Sequence, residues 1–573
     1  MLKAKFTRII AFGCPDAYVA RFRSLLPGSA TSFLLLFCCV TGTAPAADDA
    51  PEVTVGGRLF VDTRFSQYFF AHSNGDVNVA LEEGDPVMET SPTTGKPLRG
   101  AFAGQSMNCR SCHLVNEFRE TGMRTYADFA RRSPVPARED GQTLTVRNAQ
   151  ALVTAARPSN HDLVLHTDGQ FPTMLELVEA TFTGRNFGWL PGERETAVHH
   201  IAKVVREDDG KSELAKERTF DFSYGVLFAE GPNLGKRTLM PPQYKLDVAT
   251  ATDQEIFERA CQLVVEYVRS LKFQTDDDGS FSGSPYDQFL KKNGLPRQPE
   301  PVRPGLIEKE PDLAYARKLR EAVDGLKDPQ WVGRTEGRFL NHHQDFKFGP
   351  AELAGLKIFL SEAQPTSSKT VAHAGNCIAC HAPPSFSDFG FHNTGATQEE
   401  YDQMHGKGAF AALVIPNLEE RSKKPEVYLP ASERHPKAAA QFEQIPDSKH
   451  PGYVDLGIWN VLFNPDLPNP QGRLTQTLVR SGAGGSPSAQ LDASIARFKT
   501  PSVRDLGHSS PYLHNGSKDT IEDVLRFYID ASSRARKGQM RNAEPDISKI
   551  SFDATDIAQM AAFLRSLNED YDD

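Results

Sequence analysis

Several features that define common classes of protein are absent from this chain of 573 residues, or scarce in it. Acidic side chains outnumber basic ones and give a formal net charge of −10, which argues against a nucleic-acid-binding protein. After residue 46, no stretch approaches the roughly 18 consecutive apolar residues that a membrane-spanning helix needs. Only eight cysteines are present. The composition, with 39% hydrophobic residues, is that of a globular protein. The length suggests two or three domains.

The first 46 residues have the composition of a signal peptide. Five basic side chains lead into the short apolar run SFLLLFCCV, residues 32–40, and small residues precede Ala47. This order is typical of a Sec-type signal peptide, with an uncleaved anchor as the alternative. We therefore expect an exported, periplasmic protein with no membrane span after cleavage. Cleavage removes five basic and one acidic side chain, so the mature surface is more acidic and would attract a basic redox partner.

Four of the five cysteines outside the signal peptide form two copies of one motif. The copies are CRSCH, residues 109–113, and CIACH, residues 377–381. Two thiols one turn apart can bond to the two vinyl groups of haem, and the next histidine then lies below the iron as its proximal ligand. The sequence predicts two covalently bound haem c groups, held by Cys109, Cys112, His113, Cys377, Cys380 and His381.

Two other kinds of site also use a Cys-x-x-Cys pair. A zinc site would need further ligands at close spacing, which neither motif has nearby. A thioredoxin-like redox pair needs no histidine directly after the second cysteine. The remaining cysteine, Cys261, lies in the apolar pattern IFERACQLVVEYVRSL and is predicted to be a buried small side chain.

The segments around the two motifs resemble each other in pairs. GGRLFVDTRFS, residues 56–66, precedes the first motif, and AGLKIFLSE, residues 354–362, precedes the second. Each half closes with an amphipathic helical pattern, over residues 251–272 and 554–569. We therefore expect a mainly α fold of two cytochrome c-like haem domains, related by an internal repeat and carrying long loops.

This pattern divides the chain into four parts. The signal peptide covers residues 1–46, and the first haem domain covers residues 47–275. A linker rich in proline, glycine and charge, with one or two short helices expected within it, follows at 276–350, and the second haem domain covers residues 351–573. A stretch rich in proline and lysine, residues 416–486, is expected to form a long loop on the second domain.

Motifs that follow the two haem-binding sequences carry a resemblance to a known family. Arg147 and Asn148 form an RN pair after the first motif. FSDFGFHNTG, residues 386–395, and FKTPSVRDLGHSSPYLHNG, residues 498–516, follow the second. On these motifs the chain resembles the diheme cytochrome c peroxidase superfamily, and within it the MauG-like branch most, over residues 55–567.

The resemblance implies a different role for each haem. The first would be peroxidatic, with an open site for hydrogen peroxide, and the second six-coordinate. The family's sixth ligand lies fourteen residues after the histidine of PYFHDG, here His514, and this position is Tyr528. MauG-like enzymes have tyrosine there, which implies ligation of the second haem by His381 and Tyr528 and a bis-Fe(IV) state after reaction with peroxide. Met540 is the competing ligand, and an ordinary packed aromatic is the simpler role for Tyr528.

The first haem site departs from the family's pattern. Thr167 stands where a relay tryptophan is expected, and Leu177 and Phe187 stand where a distal Gln and Glu are expected. Cleavage of peroxide still requires a proton-transferring group and a group that stabilises the leaving oxygen. Glu176 and Arg185 are the nearest catalytic candidates in sequence, although a solvated helix residue and a haem-propionate partner are the alternatives.

Three further side chains are candidates around the first haem. His161 could cap this haem in a resting form, as a distal histidine does in some relatives, and His166 is another candidate for the site. Trp189 could replace the missing relay tryptophan, although a buried structural tryptophan is the simpler interpretation.

The family also binds one calcium ion between its two units. The resemblance carries its ligands to the side chain of Asn148 and to the main-chain carbonyls of Ser509 and Pro511. One side-chain oxygen together with carbonyls and waters suits this hard cation. The alternative is that Asn148 only makes a hydrogen bond within a turn.

The sequence is compatible with three functions. The first is a peroxidase that reduces hydrogen peroxide with electrons from a small periplasmic cytochrome or copper protein. The second is a MauG-like oxidase or oxygenase that acts on a protein or polymer. The third is a non-catalytic diheme electron carrier, which would need two saturated irons. Tyr528 and the lack of a matched second ligand for the first haem weigh against this third function.

Overall fold

The computed structural model describes most of the chain after the predicted signal peptide. The described residues are 49–79, 107–109, 112–113, 132–133, 135–153, 155, 164–229, 238–301, 310–339, 342–363, 373–480 and 482–570. The predicted signal peptide and the candidate His161 lie outside them. Helices dominate these residues, so the prediction of a mainly α fold is confirmed.

The helices before residue 275 include the pattern predicted to close the first half. In the described part of the chain they are α1 (Pro51–Val61), α2 (Gln67–His72), α3 (Met174–Phe182), α4 (Arg194–Glu207), α5 (Glu213–Thr219), α6 (Tyr224–Phe228) and α7 (Asp253–Ser270). Thr252 and Glu255 form a reciprocal capping box at the start of α7, as their spacing predicts. Cys261 lies on α7 and is fully buried, which confirms the prediction for this side chain.

The later helices are shorter on average. They are α8 (Pro285–Lys292), α9 (Asp312–Asp324), α10 (Pro350–Leu360), α11 (Ala396–His405), α12 (Ala409–Ala412), α13 (Leu418–Lys423), α14 (Pro425–Tyr428), α15 (Gln471–Arg480), α16 (Pro487–Ala493), α17 (Ile521–Arg536) and α18 (Ile557–Arg565). The last of these begins later than its sequence pattern, because side-chain hydrogen bonds of Asp553 and Asp556 hold a turn before it. Short 3-10 helices lie at Thr63–Phe65, Arg185–Phe187, Pro242–Tyr244, Cys377–Ala379, Ile458–Asn460, Leu506–His508 and Pro545–Lys549.

The same close contact between two helices occurs once in each half. A methyl group added to Gly56 on α1 would lie 2.1 Å from the carbonyl oxygen of Leu263 on α7. A methyl group added to Gly355 on α10 would lie 2.0 Å from the carbonyl oxygen of Gln559 on α18. Glycine therefore lets the backbones of both pairs approach each other closely, at matching positions of the two predicted repeats.

Two large hydrophobic cores lie behind the two motifs. The first is formed mainly by α1, α3, α4 and α7, and the second mainly by α8, α9, α10, α17 and α18. Helices α8 and α9 come from the segment predicted as a linker, and they pack Tyr286, Phe289 and Leu319 into the second core. The described residues of both halves belong to one compact unit.

The segment predicted as a long loop contributes to two small hydrophobic cores. One contains Phe442 and Trp459, whose rings meet edge to face at 5.1 Å. The other packs Val164 from the first half against Leu474 of α15. This segment therefore reaches the first half of the chain instead of extending freely from the second.

A short antiparallel sheet joins the two family motifs of the second half. Strand β1 (Phe391–His392) pairs with β2 (Phe498–Lys499), with Phe391 opposite Lys499. The main-chain N–H of Lys499 also donates to the carbonyl of Thr167, 2.7 Å away. The sheet thus brings both motifs beside the turn that carries the first-haem candidates. No helix of the described residues is long and apolar enough to cross a membrane.

Candidate two-haem site

One cavity of about 2160 Å³ extends between the two Cys-x-x-Cys-His motifs. Its walls include Cys112 and His113 of the first motif and Cys377, Cys380 and His381 of the second. A pocket for one small ligand has a volume of roughly 300–1,000 Å³. The cavity is therefore large enough for more than one large cofactor, and both motifs face the same space.

The first motif has the local geometry of a single turn. The main-chain N–H groups of Cys112 and His113 donate to the carbonyl of Cys109 at 3.2 and 3.0 Å. Neither thiol is in a disulfide. The Nδ1 atom of His113 is buried without a hydrogen-bond partner. Desolvation lowers the pKa of His113 to about 4, so its imidazole is neutral, the form that binds a metal.

The second motif repeats this turn and also orients its histidine. The N–H of His381 donates to the carbonyl of Cys377 at 2.7 Å. Nδ1 of His381 donates to the carbonyl of Phe386 at 2.9 Å, which leaves the lone pair on Nε2 for a metal. Desolvation lowers the pKa of this histidine as well. Paired free thiols, neutral histidines and a shared cavity fit two haem groups.

Of the two candidates for the sixth ligand, only Tyr528 faces the cavity. Tyr528 lies on α17 and lines the cavity together with His381. Met540 does not line the cavity. Its methyl group packs against Gly395, 2.6 Å from the point where a Cβ on that glycine would lie. Desolvation, and then the nearby Cys380 and Cys377, raise the pKa of the Tyr528 hydroxyl. A phenolate at this place would therefore need the positive charge of a metal.

The catalytic candidates Glu176 and Arg185 both line the cavity but have other partners. Arg185 donates to both carboxylate oxygens of Asp140, at 2.6 and 3.0 Å. Glu176 lies in the first turn of α3, where its Oε2 accepts from Nδ2 of Asn469 at 3.4 Å. Because Asp140 neutralises Arg185, this arginine is poorly suited to stabilise a second negative charge. Both roles stay predictions.

The positions that depart from the family's pattern are distributed between the cavity wall and the core. Thr167 and Leu177 line the cavity, and the Oγ1 atom of Thr167 is buried without a partner. Phe187 lies in the first core and meets Phe182 edge to face at 5.1 Å. Trp189 also lines the cavity, but its Nε1 donates to the carbonyl of Phe65 at 3.2 Å, so the first core anchors its ring.

The three predicted calcium ligands line one part of the cavity. Nδ2 of Asn148 donates to the carbonyl of Pro511 at 2.5 Å, and the main-chain N–H of Asn148 donates to the carbonyl of His514 at 2.6 Å. Oδ1 of Asn148 is buried without a hydrogen-bond partner. Ser509 lies in the same loop as Pro511, so the structure brings all three residues to one region, with one amide oxygen unpaired.

A buried charge cluster was not expected from the sequence. Arg147 donates from Nε and Nη2 to Asp455 at 2.6 and 2.8 Å, and its Nη1 contacts Asp168. The carboxylate of Glu443 lies 3.4 Å from Nη2 of the same guanidinium. One cation therefore faces three carboxyls, and burial raises the pKa of Glu443, the most distant of them, to about 7. The RN motif marks Arg147, but no periodic signal marks its acidic partners.

These observations define a mainly α protein with two Cys-x-x-Cys-His motifs on one cavity, and the comparisons with known proteins agree with this class. No family model matches the chain. It is 28% identical over 92 residues to the cytochrome-c peroxidase IdrP2 of Pseudomonas sp. (strain SCT), covering 16% of this chain and 23% of that protein. It is 21% identical over 220 residues to IdrP2 of Denitromonas iodatirespirans, covering 38% and 42%.

A third curated relative belongs to the branch that the motifs suggested. The chain is 29% identical over 87 residues to the methylamine utilization protein MauG of Methylophilus methylotrophus, covering 15% of this chain and 24% of that protein. These matches confirm the resemblance, because they relate the chain to cytochrome-c peroxidases and to MauG. The matched segments span less than half of each relative's length.

Two solved structures resemble the chain over most of its length. One is a MauG-like protein associated with microbial copper homeostasis, with a TM-score of 0.41, 14% identity and coverage of 91% of both chains. The other is the diheme peroxidase BthA from Burkholderia thailandensis E264, with a TM-score of 0.38, 14% identity and coverage of 91% of this chain and 87% of that one. Because these TM-scores are low, the relationship rests on the sequence matches.

The substitution Glu443→Gln tests the buried charge cluster. The folded protein holds a proton on Glu443 up to about pH 7, whereas the unfolded chain releases it near the ordinary value of 4.5. The free energy of unfolding of the wild type should therefore fall as the pH rises through this window. Glutamine releases no proton, so we expect the fall to be smaller in the variant, by about 2–3 kcal/mol.

Chemical denaturation of both proteins at about pH 5 and about pH 7.5 measures this difference. Glu433→Gln is the matched control, because Glu433 also lines the cavity and accepts a hydrogen bond from the exposed N–H of Gly192, at 3.1 Å. If the free energy of unfolding changed equally with pH in the wild type and in Glu443→Gln, the raised pKa of Glu443 would be contradicted.

Proposed function

We propose that this chain is an exported diheme c-type cytochrome that reduces hydrogen peroxide with electrons from a small periplasmic cytochrome or copper protein. The observation that carries the proposal is the cavity lined at two places by Cys-x-x-Cys-His motifs, with His113 and His381 among its walls. The names of the related cytochrome-c peroxidases support it. Net acidity of the chain suits a basic donor protein.

The two motifs supply the residues that would attach the haems and bind their irons. Cys109 and Cys112 would attach one haem, and Cys377 and Cys380 the other, each through two thioether bonds. The haems supply redox chemistry when bound. His113 and His381 would be the proximal ligands, and the carbonyl of Phe386 fixes the tautomer of His381. Both haems would share one cavity, because the two motifs line the same space.

Tyr528 would be the sixth ligand of the second haem, beside the proximal ligand His381. The supporting observation is that Tyr528 faces the cavity whereas Met540 does not. An anionic oxygen ligand stabilises oxidised iron more than a thioether does. We therefore propose that this pair can hold an oxidising equivalent, in accord with the bis-Fe(IV) state that the resemblance implies.

Turnover with hydrogen peroxide and a reduced small cytochrome tests the proposed activity. We expect two molecules of cytochrome to be oxidised per peroxide, because reduction of H2O2 to two waters takes two electrons and two protons. A spectral change with peroxide that never leads to cytochrome oxidation would favour an oxidase that acts on a protein or polymer. No spectral reaction with peroxide would leave only an electron carrier.

The substitution Tyr528→Met tests the ligand of the second haem. A thioether should raise the reduction potential of this haem, by on the order of 0.1 V or more, and change its optical spectrum. Spectroelectrochemical titration measures both effects. Tyr453→Met is the matched control, since Tyr453 also lines the cavity and stacks on His450 at 4.5 Å. Identical potentials in Tyr528→Met and the wild type would rule out a bond from Tyr528 to iron.

We also propose one calcium ion beside Asn148, Ser509 and Pro511. The unpaired Oδ1 of Asn148 supports it, because a flip of the amide would exchange Nδ2 and Oδ1 and turn this oxygen toward the Pro511 carbonyl, so that both oxygens could bind one cation. Metal analysis of the purified protein should find one calcium per chain, which Asn148→Ala should lose. Equal calcium content in the two proteins, or none in the wild type, would contradict the site.

A further inference from the structure

His166 is held at the cavity wall by a short series of buried polar contacts. Its Nδ1 lies 3.1 Å from Oδ1 of Asp168. Asp168 is only 1% exposed, contacts Arg147, and accepts a main-chain hydrogen bond from Gln170 at 3.1 Å. Although burial alone would raise the pKa of Asp168, Arg147 and His166 lower it. Asp168 is therefore an ionised acceptor, which fixes the orientation of the imidazole.

This contact also determines which nitrogen of His166 is available. A neutral imidazole that donates from Nδ1 to a carboxylate keeps its lone pair on Nε2. No hydrogen bond to Nε2 is found in the described part of the chain, and His166 lines the same cavity as His113. The side chain is 40% exposed, so Nε2 can meet a small molecule in the cavity. A base with an orienting partner and one free nitrogen is the arrangement that proton transfer requires.

The backbone around His166 has an unusual conformation that several contacts hold in place. His166 has φ = 71°, in the left-handed region that few residues other than glycine adopt. Leu165 and Phe171 pair across the turn, and Thr167 accepts from Lys499. A Cβ on Gly169 would lie 2.5 Å from Leu474, so the turn fits closely against α15. Backbone strain of this kind persists where the surroundings hold it, and it concentrates at functional sites.

We propose that His166 is the proton-transferring residue of the first haem site, and that Asp168 and Arg147 are positioning residues for it. The proposal rests on the peroxidase function proposed above. It also explains how the site can work with Leu177 and Phe187 at the expected distal positions and with Arg185 already paired to Asp140.

In this role His166 moves one proton between the two oxygens of hydrogen peroxide. Nε2 of His166 accepts the proton from one oxygen of hydrogen peroxide and returns it to the other oxygen as the O–O bond breaks. This second oxygen leaves as water. The donor protein supplies the two electrons and solvent supplies two further protons, so one H2O2 yields two waters. Arg147 and Asp168 do not exchange protons in these steps.

The substitution His166→Asn tests the proposal, because asparagine tolerates the left-handed conformation but cannot act as a base. The first readout is the association rate of cyanide with the oxidised protein, which is independent of turnover. Hydrogen cyanide must lose its proton before the anion binds iron, so a base in the cavity accelerates binding. We expect cyanide association and the reaction with peroxide both to slow by about 10²–10⁴-fold.

The matched control is His450→Asn. His450 also lines the cavity and also pairs through Nδ1 with an aspartate, Asp447, at 2.8 Å. Both rates should stay at the wild-type level in this control. His166→Gln serves as a second variant, so that a folding defect of one replacement does not decide the result.

A rescue experiment separates positioning from a structural role. Asp168→Asn removes the carboxylate that orients the imidazole of His166, so cyanide association should slow although His166 is still present. Asp168→Glu keeps a carboxylate and should restore the rate toward the wild-type value, whereas wild-type rates in the folded Asp168→Asn variant would show that Asp168 does not position His166.

The outcomes distinguish this inference from the function on which it rests. If the wild type reacts with peroxide and both His166 variants keep wild-type rates of cyanide and peroxide binding, the inference is overturned and the proposed function stands. If the wild type never reacts with peroxide but His166→Asn still slows cyanide association, the proposed function fails and the basic role of His166 stands.

Discussion

The buried ion pairs of Arg147 hold together three parts of the chain that form the cavity wall. Arg147 bonds to Asp455 from the long segment between the second motif and β2, and contacts Asp168 in the turn that carries His166. Removing one partner of a buried ion pair typically costs about 3–5 kcal/mol, because the other charge stays buried. The next residue, Asn148, continues the contact to Pro511 and His514. Loss of this cluster would therefore disturb both the turn that carries His166 and the loop that carries Pro511 and His514.

The two motifs that line the cavity pack against different hydrophobic cores. The first motif lies against the core of α1 and α7, and the second against the core of α10 and α18. In both cores a glycine brings two helix backbones into contact, at Gly56 and at Gly355. Helices packed this closely leave little freedom to the attached motifs, so the distance between two bound haems would be set by the protein and not by the cofactors.

Local patterns in the sequence predict much of this architecture. The Cys-x-x-Cys-His spacing, the capping box at Thr252 and the burial of Cys261 depend on neighbouring residues, so they can be recognised without a structure. The placement of Tyr528 on the cavity follows from the resemblance and agrees with the structure. The first three of these features depend on residues within a few helical turns or within one motif, whereas the place of Tyr528 follows only from the family's spacing after His514.

Other features depend on contacts between distant residues and could not be predicted. Asp455 and Glu443 lie about 300 residues from Arg147, in a segment whose composition indicated only a loop. The ion pair of Arg185 with Asp140, 45 residues away, likewise has no signal in the sequence. Short helices are expected in the linker, but the sequence does not show that their apolar faces complete the second core. Charge pairing and the packing of short helices leave no periodic pattern in a single sequence.

The central claim is that both Cys-x-x-Cys-His motifs carry covalently attached haem in an exported chain. Intact-mass spectrometry of the denatured, mature protein tests it most directly, because thioether bonds survive unfolding whereas coordination bonds do not. The account predicts a chain that has lost residues 1–46 and has gained the mass of two haems. A mature chain with one attached haem or none would contradict it.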